Sequence, residues 1–382
     1  MHPGDMNHLV PIMPVPLLDL SQQHDALRPQ IDDKVLEVMR SGKFILGQYV
    51  EEFEQKLASY HNAKHAIGVS SGTDALLLSL MALGIQPGDE VITTPFTFFA
   101  TAGSIARLGA VPVFIDIDPK TFNLEHQNIE AAITHKTKAI MPVHLFGLPA
   151  NMGPIMDIAK KHNLKVVEDA AQSIGALYTD KMACTLGDCG CLSFYPSKNL
   201  SCMGDAGAIV TNDDDLAAKL RQLRNHGMDG EYKYINIGGN FRIDAIQAAI
   251  LSIKLDQLDA WTNKRIMHAH RYNRHLEDIA VATPHEYEYR KHVFNQYTIR
   301  VHGGARDALL NHLNANGIGA RVYYPYPLHT EPCFEYLKYN PGSVPNSEQA
   351  ATEVLSLPVY PELTRQQQDE VIACIKDFFL SE

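Results

Sequence analysis

Several features that would direct a chain elsewhere are missing from this one. No apolar run is long enough to cross a bilayer, which removes a membrane-spanning reading. The apolar stretch within residues 1–20 is broken by Pro3, Pro11, Pro14 and Pro16 and has no basic region before it, so it does not read as an export signal. Positive charge is outnumbered, with 33 Lys and Arg against 44 Asp and Glu for a net charge of -11. A general binder of phosphate backbones needs the opposite balance, so nucleic acid is excluded as a partner. Cysteine is sparse, six residues in 382, which fits free thiols in a reducing compartment and an expectation of a cytoplasmic protein. Cys184, Cys189, Cys191 and Cys202 do crowd one region, but the spacing C-x4-C-x-C lacks the paired CxxC knuckles of zinc modules. They read as small buried apolar residues, and no metal is assigned. Internal repeats and low-complexity tracts are also absent.

What is present is an ordinary globular composition, 45% hydrophobic and 20% charged. The length exceeds one small core and suggests a large domain followed by a smaller one. Between residues 64 and 212 short β-rich runs alternate with helical stretches, the pattern of a mostly parallel sheet with crossover helices. Strands are expected at 65–70, 90–94, 111–116, 139–144, 165–168 and 208–210. The segment 73–83 carries leucines around most of its circumference and predicts a helix buried on several sides, ended by Gly84. Beyond residue 245 come long helical stretches at 246–258 and 262–276, with Trp261 at the joint. A strand at 296–301, a helix at 306–315, a strand around 321–323 and a final helix at 365–379 make a compact α/β cap. The division therefore falls at 1–260 and 261–382.

Four separated segments carry chemistry if one ligand sits at the carboxyl ends of the parallel strands. Ser70-Ser71-Gly72-Thr73-Asp74 follows a strand and opens a helix, where backbone N–H groups and the helix dipole meet an anion; the same residues also serve as a plain N-cap. Asp169, closing an apolar strand, needs a cationic partner if buried, and a protonated pyridine nitrogen is one. Gln172 stands about one helical turn further on; the alternative is an exposed carboxylate capping the next helix. Lys198, between apolar runs and near flexible glycines, is placed where desolvation can lower its pKa enough for nucleophilic work, although most lysines are simply solvated. The run Thr94-Pro95-Phe96-Thr97-Phe98-Phe99-Ala100-Thr101 carries three Phe residues that can stack on a flat ring or fill core.

The runs SSGTDALLLSLMALGIQPGDEVITTPFTFFAT, GAVPVFIDIDPKTFNL, TKAIMPVHLFG, VVEDAAQSIGA, SFYPSKNL, GDAGAIVT, LRNHG, GGNFRIDAIQAAIL and YYPYPLH, in this order, resemble the DegT-type sugar-nucleotide aminotransferases. The likeness covers nearly the whole chain. It implies a fold type I pyridoxal-phosphate enzyme: an α/β large domain with a mostly parallel seven-stranded sheet flanked by helices, plus a smaller C-terminal α/β domain. By position, Lys198 matches the Schiff-base lysine, Asp169 the partner of the pyridine nitrogen, Gln172 the contact to the ring oxygen and Phe98 the aromatic over the ring. Gly72, Thr73 and Ser193 match the phosphate cradle. Asn240 resembles the residue that reaches the phosphate from a neighbouring subunit, which implies a homodimer with a shared active site. Arg242 is the candidate for a carboxylate of the amino donor. Phe44, Gly47, Tyr323, Tyr324 and His329 lie in stretches that border the sugar nucleotide in similar enzymes, and structural aromatics are an equal reading there.

The implied reaction moves an amino group from glutamate, leaving 2-oxoglutarate, to a nucleotide-linked keto sugar, in cell-surface polysaccharide or secondary-metabolite sugar synthesis, with carbon 3 favoured over carbon 4. Similar dehydratases replace the lysine, so Lys198 argues against dehydration. A cyclic ketone of the inosose type, or a cofactor-binding regulator without turnover, are the other readings. One departure from the family is visible: Ser201, Cys202 and Met203 stand where small glycine-rich residues are common.

Overall fold

The computed structural model describes residues 15–380; most of the proline-broken N-terminal stretch, residues 1–14, lies outside the described residues. Two helices, α1 (Ser21–Ser41) and α2 (Gln48–Tyr60), lead into β1 (His65–Val69), α3 (Gly72–Ala82), β2 (Glu90–Thr93), α4 (Ala100–Arg107) and β3 (Val111–Phe114). A short α5 (Ile129–Ala132), β4 (Thr137–Ile140), α6 (Met152–His162) and β5 (Lys165–Asp169) follow. A small hairpin, β6 (Leu177–Tyr178) with β7 (Lys181–Met182), precedes β8 (Cys189–Ser193) and β9 (Gly207–Thr211).

These strands build a seven-stranded sheet in the order β1-β9-β8-β5-β4-β2-β3. The β3, β2, β4, β5 and β8 neighbours pair in parallel, while β9 runs antiparallel to both β8 and β1. Both faces are covered. On one face Leu76, Leu78 and Leu80 of α3 pack on Ile67, Val69, Val167, Cys191 and Ile209. On the other, Phe53 and Leu57 of α2, with α8 (Ala245–Leu255), cover Ala66, Leu192, Ala208 and Val210. Alternate residues of one strand thus feed two cores, which is why these strands read as continuous apolar runs. Each large side chain so buried stabilises the fold by about 1.5–3 kcal/mol.

The α3 helix is capped by Ser71, whose backbone is extended and whose Oγ accepts the N–H of Asp74 at 3.0 Å, and Gly84, at φ +81°, turns the chain away beyond its end. Strand β4 ends at Ile140, short of the expected 144, because Pro142 has no N–H for the ladder. Pairing continues only as an isolated bridge, Val143 with Asp169, in which Asp169 N–H donates to Pro142 O. Strand β8 was not expected from its sequence. Its CGCLS composition has little β propensity, yet Gly190 is needed there, since a Cβ would lie 2.2 Å from Cys184 Cα.

After α7 (Asp214–Arg224) and α8, the long α9 (Leu258–Leu276) carries the chain to a second core. Its first turn buries Leu258 and Trp261 with the large sheet's helices, whereas Ala269, Tyr272 and Leu276 pack among Phe294, Ile299, Leu309, Leu357 and Ile375. The second core holds an antiparallel sheet of β10 (Val281–Ala282), β12 (Tyr297–Val301) and β13 (Val354–Leu357), with α10 (Arg306–Ala315) and α12 (Arg365–Leu380) against it; α11 (Pro345–Glu353) leads into β13. Another short strand, β11 (Arg290–Lys291), joins the β6–β7 hairpin. Residues 321–323 form no strand. Arg321 makes one two-way bridge to Ser356, and the chain then leaves the small sheet toward the carboxyl ends of the large one. Val15 bridges Ile318, so the beginning of the described chain belongs to this second core.

Candidate active site

Asp169 ends β5 and is 6% exposed. Burial pushes its carboxyl above the ordinary range; the Thr101 hydroxyl, donating to Oδ2 at 2.7 Å, and the Ala171 N–H, 3.3 Å from Oδ1, act against that. The larger of the charge effects on it is that of Lys198, which also acts against the rise. Lys198 lies on the β8–β9 connection, where burial lowers its amine to about 8 and Asp169 opposes the fall. Among the described residues, no hydrogen bond engages its Nζ. A buried carboxylate and a buried amine with a lowered pKa thus lie within electrostatic reach of each other near the C-terminal edge of the sheet.

Gln172 is buried and locked. Its Oε1 accepts the Phe146 N–H at 2.6 Å and its Nε2 donates to the Tyr324 hydroxyl at 3.2 Å, leaving the second N–H of that amide to point elsewhere. The Phe98 ring, 58% exposed, stands 6.3 Å from the Tyr324 ring.

At the α3 N-terminus the Asp74 N–H is taken by Ser71, and the Asp74 carboxylate is taken by Ser70 Oγ at 2.6 Å. The N–H groups of Gly72 and Thr73 remain, as the first-turn donors of any helix must. Ser193, at the end of β8, abuts this turn so closely that a Cβ on Gly72 would lie 2.7 Å from Ser193 Cβ. Two orphan donors, a hydroxyl and a helix dipole thus converge as an anion site.

The other expected residues lie further out. Asn240 is exposed beside Asn225, and Arg242 donates to Asn225 Oδ1 at 2.7 Å with its Nε buried and unpartnered. Phe44 and Gly47 occupy the exposed α1–α2 connection, Gly47 at φ +76°. Tyr323 is half-buried beside Tyr324. His329 is turned into the protein, with Nε2 3.2 Å from Glu348 and burial lowering its pKa. Among the described residues none of Phe44, Gly47, Asn240 or His329 touches the Lys198–Asp169 cluster by a hydrogen bond or ring contact.

Sequence reasoning passed over several supports. Thr101 had been in view only within an aromatic run. His144 and Glu168 form a buried pair, 2.9 Å apart, directly behind Asp169. The Ala150 N–H donates to His144 Nδ1, so Nε2 carries the proton and gives it to Glu168, whose oxygens also accept the N–H groups of Cys184, Leu186 and Gly187. Asn199 donates to Val293 O at 3.0 Å and accepts from Asn295 at 3.1 Å, tying the lysine loop to the chain entering the second core. A buried carboxylate beside an apolar strand was the one available signal for the pair. The four clustered cysteines are buried and free.

Residues 25–376 match the DegT/DnrJ/EryC1/StrS aminotransferase family. This chain belongs to that family. It is 53% identical over 370 residues to a Geobacillus stearothermophilus protein named pleiotropic regulatory protein, covering 96% of this chain and 99% of the relative. It is 44% identical over 349 residues to the UDP-2-acetamido-2-deoxy-3-oxo-D-glucuronate aminotransferase of Pseudomonas aeruginosa, covering 91% and 96%. The solved structure of S. venezuelae DesV in complex with a ketimine intermediate superimposes with a TM-score of 0.93 at 40% identity, covering 95% of this chain and 98% of that one. The family member is a fold type I aminotransferase that works with pyridoxal phosphate. The residues present fit that group: an anion site at α3, a buried carboxylate able to pair a cation, and a buried amine with no hydrogen-bond partner among the described residues.

Proposed function

We propose that this aminotransferase moves an amino group from glutamate to a keto sugar carried on a nucleotide. Gly72, Thr73 and Ser193 would hold the phosphate of pyridoxal phosphate, Phe98 would cover its ring, and the free N–H of Gln172 would reach the ring oxygen. When bound, the ring supplies an electron sink for the charge left on the carbon beside the nitrogen. The chain's own part is positional and protonic. Asp169 would hold a proton on the ring nitrogen. Lys198 would hold the ring through its amine and, when not so engaged, would move the proton at the α-carbon of the donor. Glutamate would leave as 2-oxoglutarate, its amino group retained by the cofactor and water supplying the keto oxygen, and the same groups would act in reverse on the keto sugar, so ping-pong kinetics are expected.

The observation that carries this reading is the buried Asp169 carboxylate at the end of β5, held by Thr101 and within electrostatic reach of the buried Lys198 amine. The 3-oxo sugar nucleotide named for the Pseudomonas aeruginosa relative supports carbon 3 as the keto position. Arg242 would take a donor carboxylate, its planar fork suiting that group, and Tyr323, Tyr324, Phe44, Gly47 and His329 would border the sugar nucleotide. Asn240 would complete the phosphate site of a neighbouring copy in a cytoplasmic homodimer.

A second reading, a cofactor-binding regulator without turnover, is favoured by the name of the Geobacillus stearothermophilus relative. One experiment separates them. Glutamate added to the cofactor-loaded protein should bleach its visible absorption and release 2-oxoglutarate, and a 3-keto sugar nucleotide should restore the band. An unchanged band with every amino acid tried, and no oxo acid released, leaves the regulator.

A further inference from the structure

The segment that follows Lys198 is gripped by one face of α8. Gln247 makes a closed pair with Met203, accepting its N–H at 2.8 Å and donating to its carbonyl at 2.9 Å. Two helical turns later on the same helix, Lys254 donates from Nζ to Ser201 Oγ at 2.9 Å. Lys254 is fully buried, an expensive place for an ammonium, and a Met or Leu of similar length would pack there without that cost. Burial lowers its amine to about 8, while Cys202 and Glu362 pull the other way. Among the described residues its one hydrogen bond goes to a serine three residues past Lys198.

We propose that Lys254 is a positioning residue: its hydrogen bond to Ser201 fixes the loop that aims Lys198 at the cofactor aldehyde. The inference rests on the role given to Lys198 above. Between Asn199, tied to Val293 and Asn295, and Ser201, tied to Lys254, only the buried Leu200 intervenes, so the backbone beyond Lys198 is held from two sides. Loss of one hold lets the amine wander, and a displacement of about an ångström is enough to slow attack severely.

The test uses the full chain stripped of cofactor, with pyridoxal phosphate added and the product trapped by borohydride. Trapping in the parent must fall on Lys198; trapping elsewhere overturns both the role of Lys198 and this proposal. With the parent behaving so, Lys254→Met and Ser201→Ala should each slow uptake about tenfold, the double variant should be no slower than either, and Ser201→Thr should recover the parent rate to within about twofold. Melting temperatures are read alongside. Ser201→Ala deletes only the acceptor oxygen, so it decides the matter should Lys254→Met fail to fold. Uptake within about twofold of the parent in Ser201→Ala, or slowing that merely tracks a fall in melting temperature and that Ser201→Thr does not recover, overturns the positioning role and leaves Lys198 as assigned.

Discussion

Thr101 donates its hydroxyl to Oδ2 of Asp169, and since a threonine has one proton to give, the Thr97 hydroxyl 3.0 Å away must donate to Thr101 in turn. The relay runs from the loop before α4 to the end of β5 and favours the ionised form of a carboxylate that burial pushes toward neutrality. Thr101→Val removes the donor. The expected outcome is retention of pyridoxal phosphate weakened about tenfold, the scale of a lost hydrogen bond to a charged group, with Thr101→Ser close to the parent; equilibrium dialysis measures it.

Asp169 itself should show opposite effects on stability and activity. Its folded pKa is raised, so the folded chain binds a proton more tightly than the unfolded one, and the penalty grows as pH rises from the ordinary carboxylate range through the folded value. Asp169→Asn in the cofactor-free chain should therefore melt higher at neutral pH than the parent. Turnover should nevertheless fall at least about a hundredfold, because nothing then holds the proton on the ring nitrogen. Calorimetry and a coupled 2-oxoglutarate assay read the two.

Lys198 has the reverse linkage. Its folded amine is depressed to about 8, so between there and the ordinary lysine value of 10.5 the unfolded chain carries more protons and stability rises with pH. Lys254, also at about 8, adds a second step of the same sign. Lys198→Ala in the cofactor-free chain should reduce the pH slope of stability without abolishing it, and should end borohydride trapping. In the parent, uptake of pyridoxal phosphate should rise with pH through about 8 and then level.

Gly72→Ala tests the close approach at the phosphate end. Its Cβ would overlap Ser193 Cβ, and overpacking of this kind costs about 1–3 kcal/mol. Adding Ser193→Gly should relieve the overlap and restore the denaturation midpoint. It should not restore cofactor affinity, since the hydroxyl assigned to the phosphate has gone with the side chain.

Much of this architecture was legible from the chain. The leucine-rich 73–83 segment announced α3 because a helix buried all round has no polar stripe, and Gly84 marked where it had to end. Strand β8 was hidden, because its cysteines and glycine are chosen for tight packing against Cys184 and not for β propensity. Lys198, Asp169 and Gln172 stood out by motif; their supports did not. Thr101, the His144–Glu168 pair, Asn199 and Lys254 contact their partners across 68, 24, 94 and 53 residues, separations at which local pattern carries no information.

By itself, the order of residues determined which groups are chemically able to act and which elements carry them: a lysine after an apolar run, an acid at a strand end, a serine-glycine turn opening a helix. Only the tertiary structure decided their states. The Lys198 amine is low because neighbouring elements strip its water, and the Asp169 carboxyl is high for the same reason. A pKa belongs to the surroundings of a side chain, and those surroundings exist only once distant segments have packed around it.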